Sequence, residues 1–435
     1  MSKLRTSMRR PSAALLLAAF ALGPAAIAAT QDRDAAALIE EAGSGELSPL
    51  EAGLAATKDK AGAALLRARI AALRLDRPAV DAALRAFAES GDEKPARRAA
   101  ALSIQAEIAF ADGDYAAAAR SFRTLAPLLD TSGKAAQAAE ARQALSIAAL
   151  LANTPRQTVA GGKPESIPTT RDKARLVRAN VRVNDSEQEA VLDTGANLSV
   201  VTASTAKRLG LRMIEGKASV GASGNASVAT RLAMADRLVI AGVELHDVAF
   251  LVLDDAALSF PIPGGYQIDA LIGFPVFRAL GRVRFDQAGS FTAGGTASPG
   301  DANLRAAGND LYVTARVNDI ATTLHLDTGA NETALTARFA NEHADLVASL
   351  PRGERRMAGA GGAIQQPVAW WRPVSVTIDG HGTTLPQLQL ALTPGPGGRE
   401  TRSGTIGQDV LGAFDWWAID FRAMRFEFGP ARTER

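Results

Sequence analysis

Val191-Leu192-Asp193-Thr194-Gly195-Ala196-Asn197 and Leu324-His325-Leu326-Asp327-Thr328-Gly329-Ala330-Asn331 decide how this chain is read. In both stretches an apolar run ends in aspartate, threonine and glycine, and the two aspartates lie 134 positions apart. Working outward, Val183-Asn184-Asp185 recurs as Val317-Asn318-Asp319, and Ile272-Gly273 recurs as Ile406-Gly407, each at the same offset. Three matches at one spacing imply two copies of a single domain, set at 174–290 and 307–429. Short runs with period-two alternation, such as Arg237-Leu238-Val239-Ile240, make both copies mainly β.

Ahead of the copies, residues 30–153 are rich in Ala, Leu and Arg with helical periodicity. Ala111-Asp112-Gly113-Asp114-Tyr115 leads into Ala116, Ala119 and Phe122, and a weaker echo (Asp76, Arg77, then Ala83, Leu84, Phe87) lies about 35 residues earlier. This resembles tetratricopeptide repeats and implies two or three helical hairpins. Such a surface takes a peptide or protein partner, or is simply a packed helical domain without a ligand. Residues 154–173 and 291–306, with their Pro, Gly and Ser, are expected as linkers. The fold class expected is therefore multidomain α + β, with helical hairpin repeats followed by two β domains.

Residues 1–29 read as a secretory signal. A basic start precedes the apolar run Ala13 to Leu22, then Gly23-Pro24 and the Ala26-Ile27-Ala28 cleavage pattern. A periplasmic or secreted protein is expected, with membrane attachment only if the segment stays uncleaved as an anchor. Net charge is +2, and four of the cations fall in the first ten residues, so no basic face asks for nucleic acid. There is no cysteine, which excludes disulfides, a thiolate nucleophile and Cys-bound metal. The four histidines show no metal-ligand spacing. His325 shares a strand face with Asp327 and is assigned to packing. Trp370-Trp371 and Trp416-Trp417 are assigned to core or inter-domain packing. No metal or cofactor is expected.

Asp-Thr-Gly-Ala after a strand, with an apolar-apolar-Gly element 80 residues on (193 to 273 and 327 to 407), resembles the retropepsin and pepsin clan of aspartic proteases. Leu271-Ile272-Gly273 matches that element fully, and Thr405-Ile406-Gly407 less well because Thr405 is polar. The resemblance covers 174–429 and implies an aspartic endopeptidase acting on a peptide or protein. Its catalytic residues would be Asp193 and Asp327. Two facing carboxylates cannot both ionise easily, so the pair holds one proton and offers a base and an acid together. Gly195 and Gly329 would permit the tight turns, and Thr194 and Thr328 would cross-link the two loops. Ala196 and Ala330 stand where acid-acting relatives carry a hydroxyl, which implies a mildly acidic to near-neutral optimum. Asn197 and Asn331 occupy the position of a substrate-contacting acid in retroviral relatives. Two Gly-rich stretches, Gly221-Ala222-Ser223-Gly224 and Gly359-Ala360-Gly361-Gly362, are candidate lids over the substrate.

Internal pairing of the copies, as a single-chain counterpart of the retroviral dimer, is the arrangement expected. Pairing between molecules is the alternative. A different class of function, a non-catalytic envelope scaffold working through its helices, is the rival. An inhibitory pro-region is a third role for the helical segment.

Overall fold

A computed structural model describes residues 33–222, 225–260, 264–297, 299–359, 362–395 and 400–432. The expected signal segment, the lid residues Ser223, Gly224, Ala360 and Gly361, and part of the loop 395–398 lie outside them.

The recurring Val-Asn-Asp is a strand turn. Strand Val177–Val183 returns as Ser186–Leu192 with Val183 opposite Ser186, and Asp310–Val317 returns as Ile320–Leu326 with Val317 opposite Ile320. Asn184 (φ 51°) and Asn318 (φ 49°) occupy the left-handed region, which asparagine tolerates better than most residues. Their side-chain oxygens tie each turn to its own sheet: Asn184 Oδ1 accepts from Asp236 N at 3.1 Å, and Asn318 Oδ1 from Ser375 N at 2.9 Å.

The recurring Ile-Gly is the parallel neighbour of each aspartate-bearing strand. Leu271 and Ile272 pair with Val191 and Leu192, and Thr405 and Ile406 pair with His325 and Leu326. The polar Thr405 does not disturb the register. A Cβ on Gly273 would lie 2.6 Å from the carbonyl of Leu198, and one on Gly407 would lie 2.6 Å from the backbone of Glu332. No side chain fits at either place, which explains why glycine recurs.

The two copies are joined by hydrogen bonds within the one chain. Strand Arg282–Asp286 of the first copy pairs antiparallel with Trp416–Asp420 of the second, from Arg282 opposite Asp420 to Asp286 opposite Trp416. Ser290–Ala293 and then Ser166–Arg171 extend this sheet on one side, and Arg425–Phe428 on the other. Phe285 and Trp417, stacked at 4.0 Å, seal the sheet at its centre, and Trp417 is fully buried.

The first expected linker is corrected. Within 154–173, Thr158–Gly162 pairs with Val243–Leu253, and Ser166–Arg171 sits between Ser290–Ala293 and Val177–Val183. The second is shortened: within 291–306 the ends join the strands Ser290–Ala293 and Leu304–Ala307, and residues 294–303 remain a connection. In the first, Gly161 lies at a bulge of Thr158–Gly162, and Pro168 lies inside Ser166–Arg171, opposite Ser290.

The helical segment comprises α1 (Ala35–Glu41), α2 (Ser48–Ala56), α3 (Lys60–Leu73), α4 (Arg77–Glu89), α5 (Pro95–Ala111), α6 (Tyr115–Thr131) and α7 (Ala135–Leu151). Asp76 caps α4 through Ala79 N and Asp114 caps α6 through Ala117 N, each at 3.1 Å. The two sequence echoes thus start corresponding helices. The segment straddles both copies. Tyr115, Ile147 and Leu151 share one apolar cluster with Leu176, Val191 and Leu198 of the first copy. Ser44, between α1 and α2, donates its N–H to Thr401 O of the second copy at 2.7 Å. Among the described residues no helix is long and apolar enough to cross a membrane.

Candidate active site

Each aspartate stands one residue past the end of its strand. Asp193 N donates to Ile272 O at 3.0 Å, and Asp327 N donates to Ile406 O at 3.2 Å. The carboxylates then turn back on their own loops: Asp193 Oδ1 accepts from Gly195 N at 2.9 Å and Asp327 Oδ1 from Gly329 N at 2.8 Å.

The loops meet across the pseudo-twofold axis. Thr194 N donates to Thr328 Oγ1 at 2.9 Å, and Thr328 N donates to Thr194 Oγ1 at 3.2 Å. Each hydroxyl then donates to the opposite strand, Thr194 to Leu326 O at 3.0 Å and Thr328 to Leu192 O at 2.7 Å. Both threonines are fully buried. Thr328→Val would leave the Leu192 carbonyl and the Thr194 N–H without partners. At roughly 1–3 kcal/mol for each of these two buried groups, the unfolding free energy should fall by about 2–6 kcal/mol in a urea titration.

This cross-link brings the two carboxyl groups face to face, the Asp327 carboxylate against Gly195 and the Asp193 carboxylate against Gly329, close enough for each to act on the other. It also revises the role of the glycines. Neither Gly195 nor Gly329 has positive φ. A Cβ on Gly195 would lie 2.5 Å from an Asp327 oxygen, and one on Gly329 would lie 2.5 Å from an Asp193 oxygen. Glycine is needed for the approach of the other copy's carboxylate, not for the turn.

Burial, and then repulsion from Asp327, hold the Asp193 carboxyl well above the usual carboxylate range, against backbone N–H bonds that favour its anion. The surroundings of the two aspartates differ. On the second-copy side, buried His325 lies 3.4 Å from Asp310 Oδ1, and Arg402 donates to Tyr312 Oη at 3.1 Å and closely pairs Asp310. Burial alone would raise Asp310, but Arg402 and His325 outweigh it and hold it at about 2. Arg402 also feels the Asp327 carboxylate. In the first copy, the positions 134 earlier than Asp310, His325 and Arg402 are Leu176, Val191 and Ile268, all buried in one apolar cluster. Read alone, neither copy of the sequence shows this network. A position-by-position comparison of the two copies would have shown it, because three apolar residues become ionisable ones.

The remaining candidates divide. Asn197 and Asn331 are exposed at the loop tips, and Asn197 O accepts from Asn309 Nδ2 at 2.7 Å. Ala196 O and Ala330 O anchor the residues after the Ile-Gly elements, accepting from Phe274 N and Gln408 N at 2.9 Å. Gln408 is buried and donates from Nε2 to Thr328 O at 2.8 Å. Both lid candidates are hairpins, Arg212–Ala222 with Asn225–Ile240 and Arg352–Gly359 with Gly362–Trp371. A cavity of about 420 Å³ opens beside Asp193, lined among others by Gly195, Ala196, Asn197 and Gly221. Gly359 and Gly362 do not line it. Phe110, Phe122 and Ile147 of the helical segment do, a contribution that periodicity could not reveal. No group of His, Asp or Glu among the described residues is arranged to hold a metal ion.

Two β domains that meet at paired Asp-Thr-Gly loops define an aspartic-protease-type architecture. Residues 179–276 and 313–410 each match the family described as aspartyl protease, so the chain carries an aspartyl protease-like domain twice. The two matched segments repeat at the offset of the aspartates. No curated protein matches the chain.

Proposed function

We propose that the chain is an aspartic-type endopeptidase whose dyad is Asp193 and Asp327. The observation that carries this is the contact between the two carboxyl groups, held by reciprocal threonine hydrogen bonds between the copies. Such a pair shares a proton and titrates as a unit. The apolar surroundings of Asp193 favour its protonated form, so Asp193 is assigned the acid and Asp327 the base. In the proposed reaction Asp327 takes a proton from water while the water oxygen bonds to the scissile carbonyl carbon. Asp193 gives its proton to the carbonyl oxygen. As the C–N bond of this tetrahedral adduct breaks, the leaving nitrogen takes the proton now on Asp327 and one hydroxyl of the adduct returns its proton to Asp193, leaving an acid, an amine and a dyad holding one proton.

The test is cleavage of a diverse peptide pool by the purified protein, with products read by mass spectrometry across pH. With alanine at 196 and 330, the carboxylates receive no neighbouring hydroxyl. The rate should therefore peak in mildly acidic to near-neutral solution. A maximum below about pH 3, where ordinary carboxyls are mostly protonated, would contradict the assignment. Ala196→Ser with Ala330→Ser should move the acid limb downward, because a hydroxyl donor stabilises the carboxylate anion.

A further inference from the structure

The helical segment carries a second cavity, of about 360 Å³, walled by α1, α3, α5, α6 and α7 and closed on one side by Ala307, Gly308 and Thr401 of the second copy. It adjoins the cavity beside Asp193: Glu107, Phe122, Glu140, Ala144 and Gly308 line both. The neck between them is thus made by α5, α6, α7 and one turn of the second copy. Alanines such as Ala36, Ala100, Ala141 and Ala144 make the walls of the outer chamber, leaving room for a backbone. Four of its five charged residues pair with one another: Arg69 with Glu107 at 2.6 Å, and Lys134 closely with Glu40; Glu140 is the fifth.

We propose that the helical segment is the outer half of the substrate channel, and that it takes an extended stretch of the same polypeptide whose scissile bond lies at the dyad. The occupant follows from adjacency: a chain that lies beside Asp193 and runs on past Glu107, Phe122 and Ala144 meets the outer chamber next. An extended segment of about ten residues reaches about 35 Å, so one peptide can occupy both chambers. The helices are then a specificity element rather than a removable cover. Their apolar face is already committed: Tyr115, Ile147 and Leu151 are buried against the first copy. This inference rests on the peptidase reading for its cleavage arm only.

The test uses the full chain and two series of peptides, lengthened stepwise from about four to about twelve residues on either the N- or C-terminal side of a cleaved bond. In one series kcat/KM should rise at least about tenfold with length, chiefly through KM, as added residues enter the outer chamber. Ala144→Trp fills the neck and should erase that gain, bringing the long-to-short ratio to about one. Gln137→Trp narrows only the outer chamber from a partly exposed position. It should remove the gain for the longest peptides alone, which keeps the test valid if the neck variant misfolds. Binding of the same fluorescent peptides to Asp327→Asn, read by anisotropy, separates the two ideas. Length-dependent affinity lost with the neck variant, but no cleavage by wild type, keeps the channel and overturns the peptidase. Cleavage with a flat length profile in both series overturns the channel and keeps the peptidase. No binding and no cleavage overturns both.

Discussion

Asp193→Asn and Asp327→Asn should each lower kcat/KM on any cleaved peptide by about four orders of magnitude or more, the scale seen when one member of a catalytic unit is removed. Neither remaining carboxyl can be base and acid at once, so the double variant should be no worse than either single one. Cleavage surviving both substitutions would refute the dyad. A second readout distinguishes loss of chemistry from loss of fold. The Asp193 carboxyl is held above its ordinary value by burial and by Asp327. A carboxyl with a raised folded pKa contributes stability that is complete below the unfolded value near pH 4 and is lost as pH rises through the folded one. Asp193→Asn, neutral at every pH, escapes that loss. Its thermal midpoint should therefore exceed that of wild type at pH 7, and the difference should vanish near pH 4. An inactive variant that is also less stable at pH 7 would mean the carboxylates are not in mutual repulsion.

Arg402→Met carries the second large effect, on stability. Arg402 pairs Asp310, which retains 14% exposure, and it lies beside buried His325. Removing one partner of a buried pair leaves the other charge uncompensated, at about 3–5 kcal/mol. Arg402 keeps 37% of its side-chain surface, so solvent screening brings the expected loss to about 2–4 kcal/mol. The pH window follows from Asp310, held at about 2 in the fold. A depressed carboxylate contributes stability that is present above the unfolded value near 4 and is lost as pH falls through the folded one. The gap between wild type and variant in urea unfolding should therefore be full above about pH 5 and closed near pH 2. A gap independent of pH would show that Arg402 acts through packing rather than charge.

Much of the β architecture was legible because the chain repeats itself. Asp-Thr-Gly marks the loop, Val-Asn-Asp the turn before it and Ile-Gly its parallel neighbour, and each is tied to its place by backbone geometry that few other residues meet. The expected linker at 154–173 misled because Pro and Gly mark strand segments as readily as loops. The strand Ser166–Arg171 reads as loop until its partners Ser290–Ala293 and Val177–Val183 are beside it. The Asp310–His325–Arg402 network was hidden within each copy for a related reason. Its members are 15 and 77 positions apart in sequence, and only sheet register places Tyr312 opposite His325.

The sequence by itself determined the two aspartates, their equivalence and the duplication, because a tight Asp-Thr-Gly loop requires particular residues at short range. Tertiary structure alone decided that the two loops face each other, that each glycine exists to admit the other copy's carboxylate, and that α5–α7 wall the cleft. Those are contacts between segments far apart in sequence, more than a hundred residues apart for the two loops. They are set by how the Arg282–Asp286 and Trp416–Asp420 strands pair and by which apolar face the helices bury, and no local pattern encodes either.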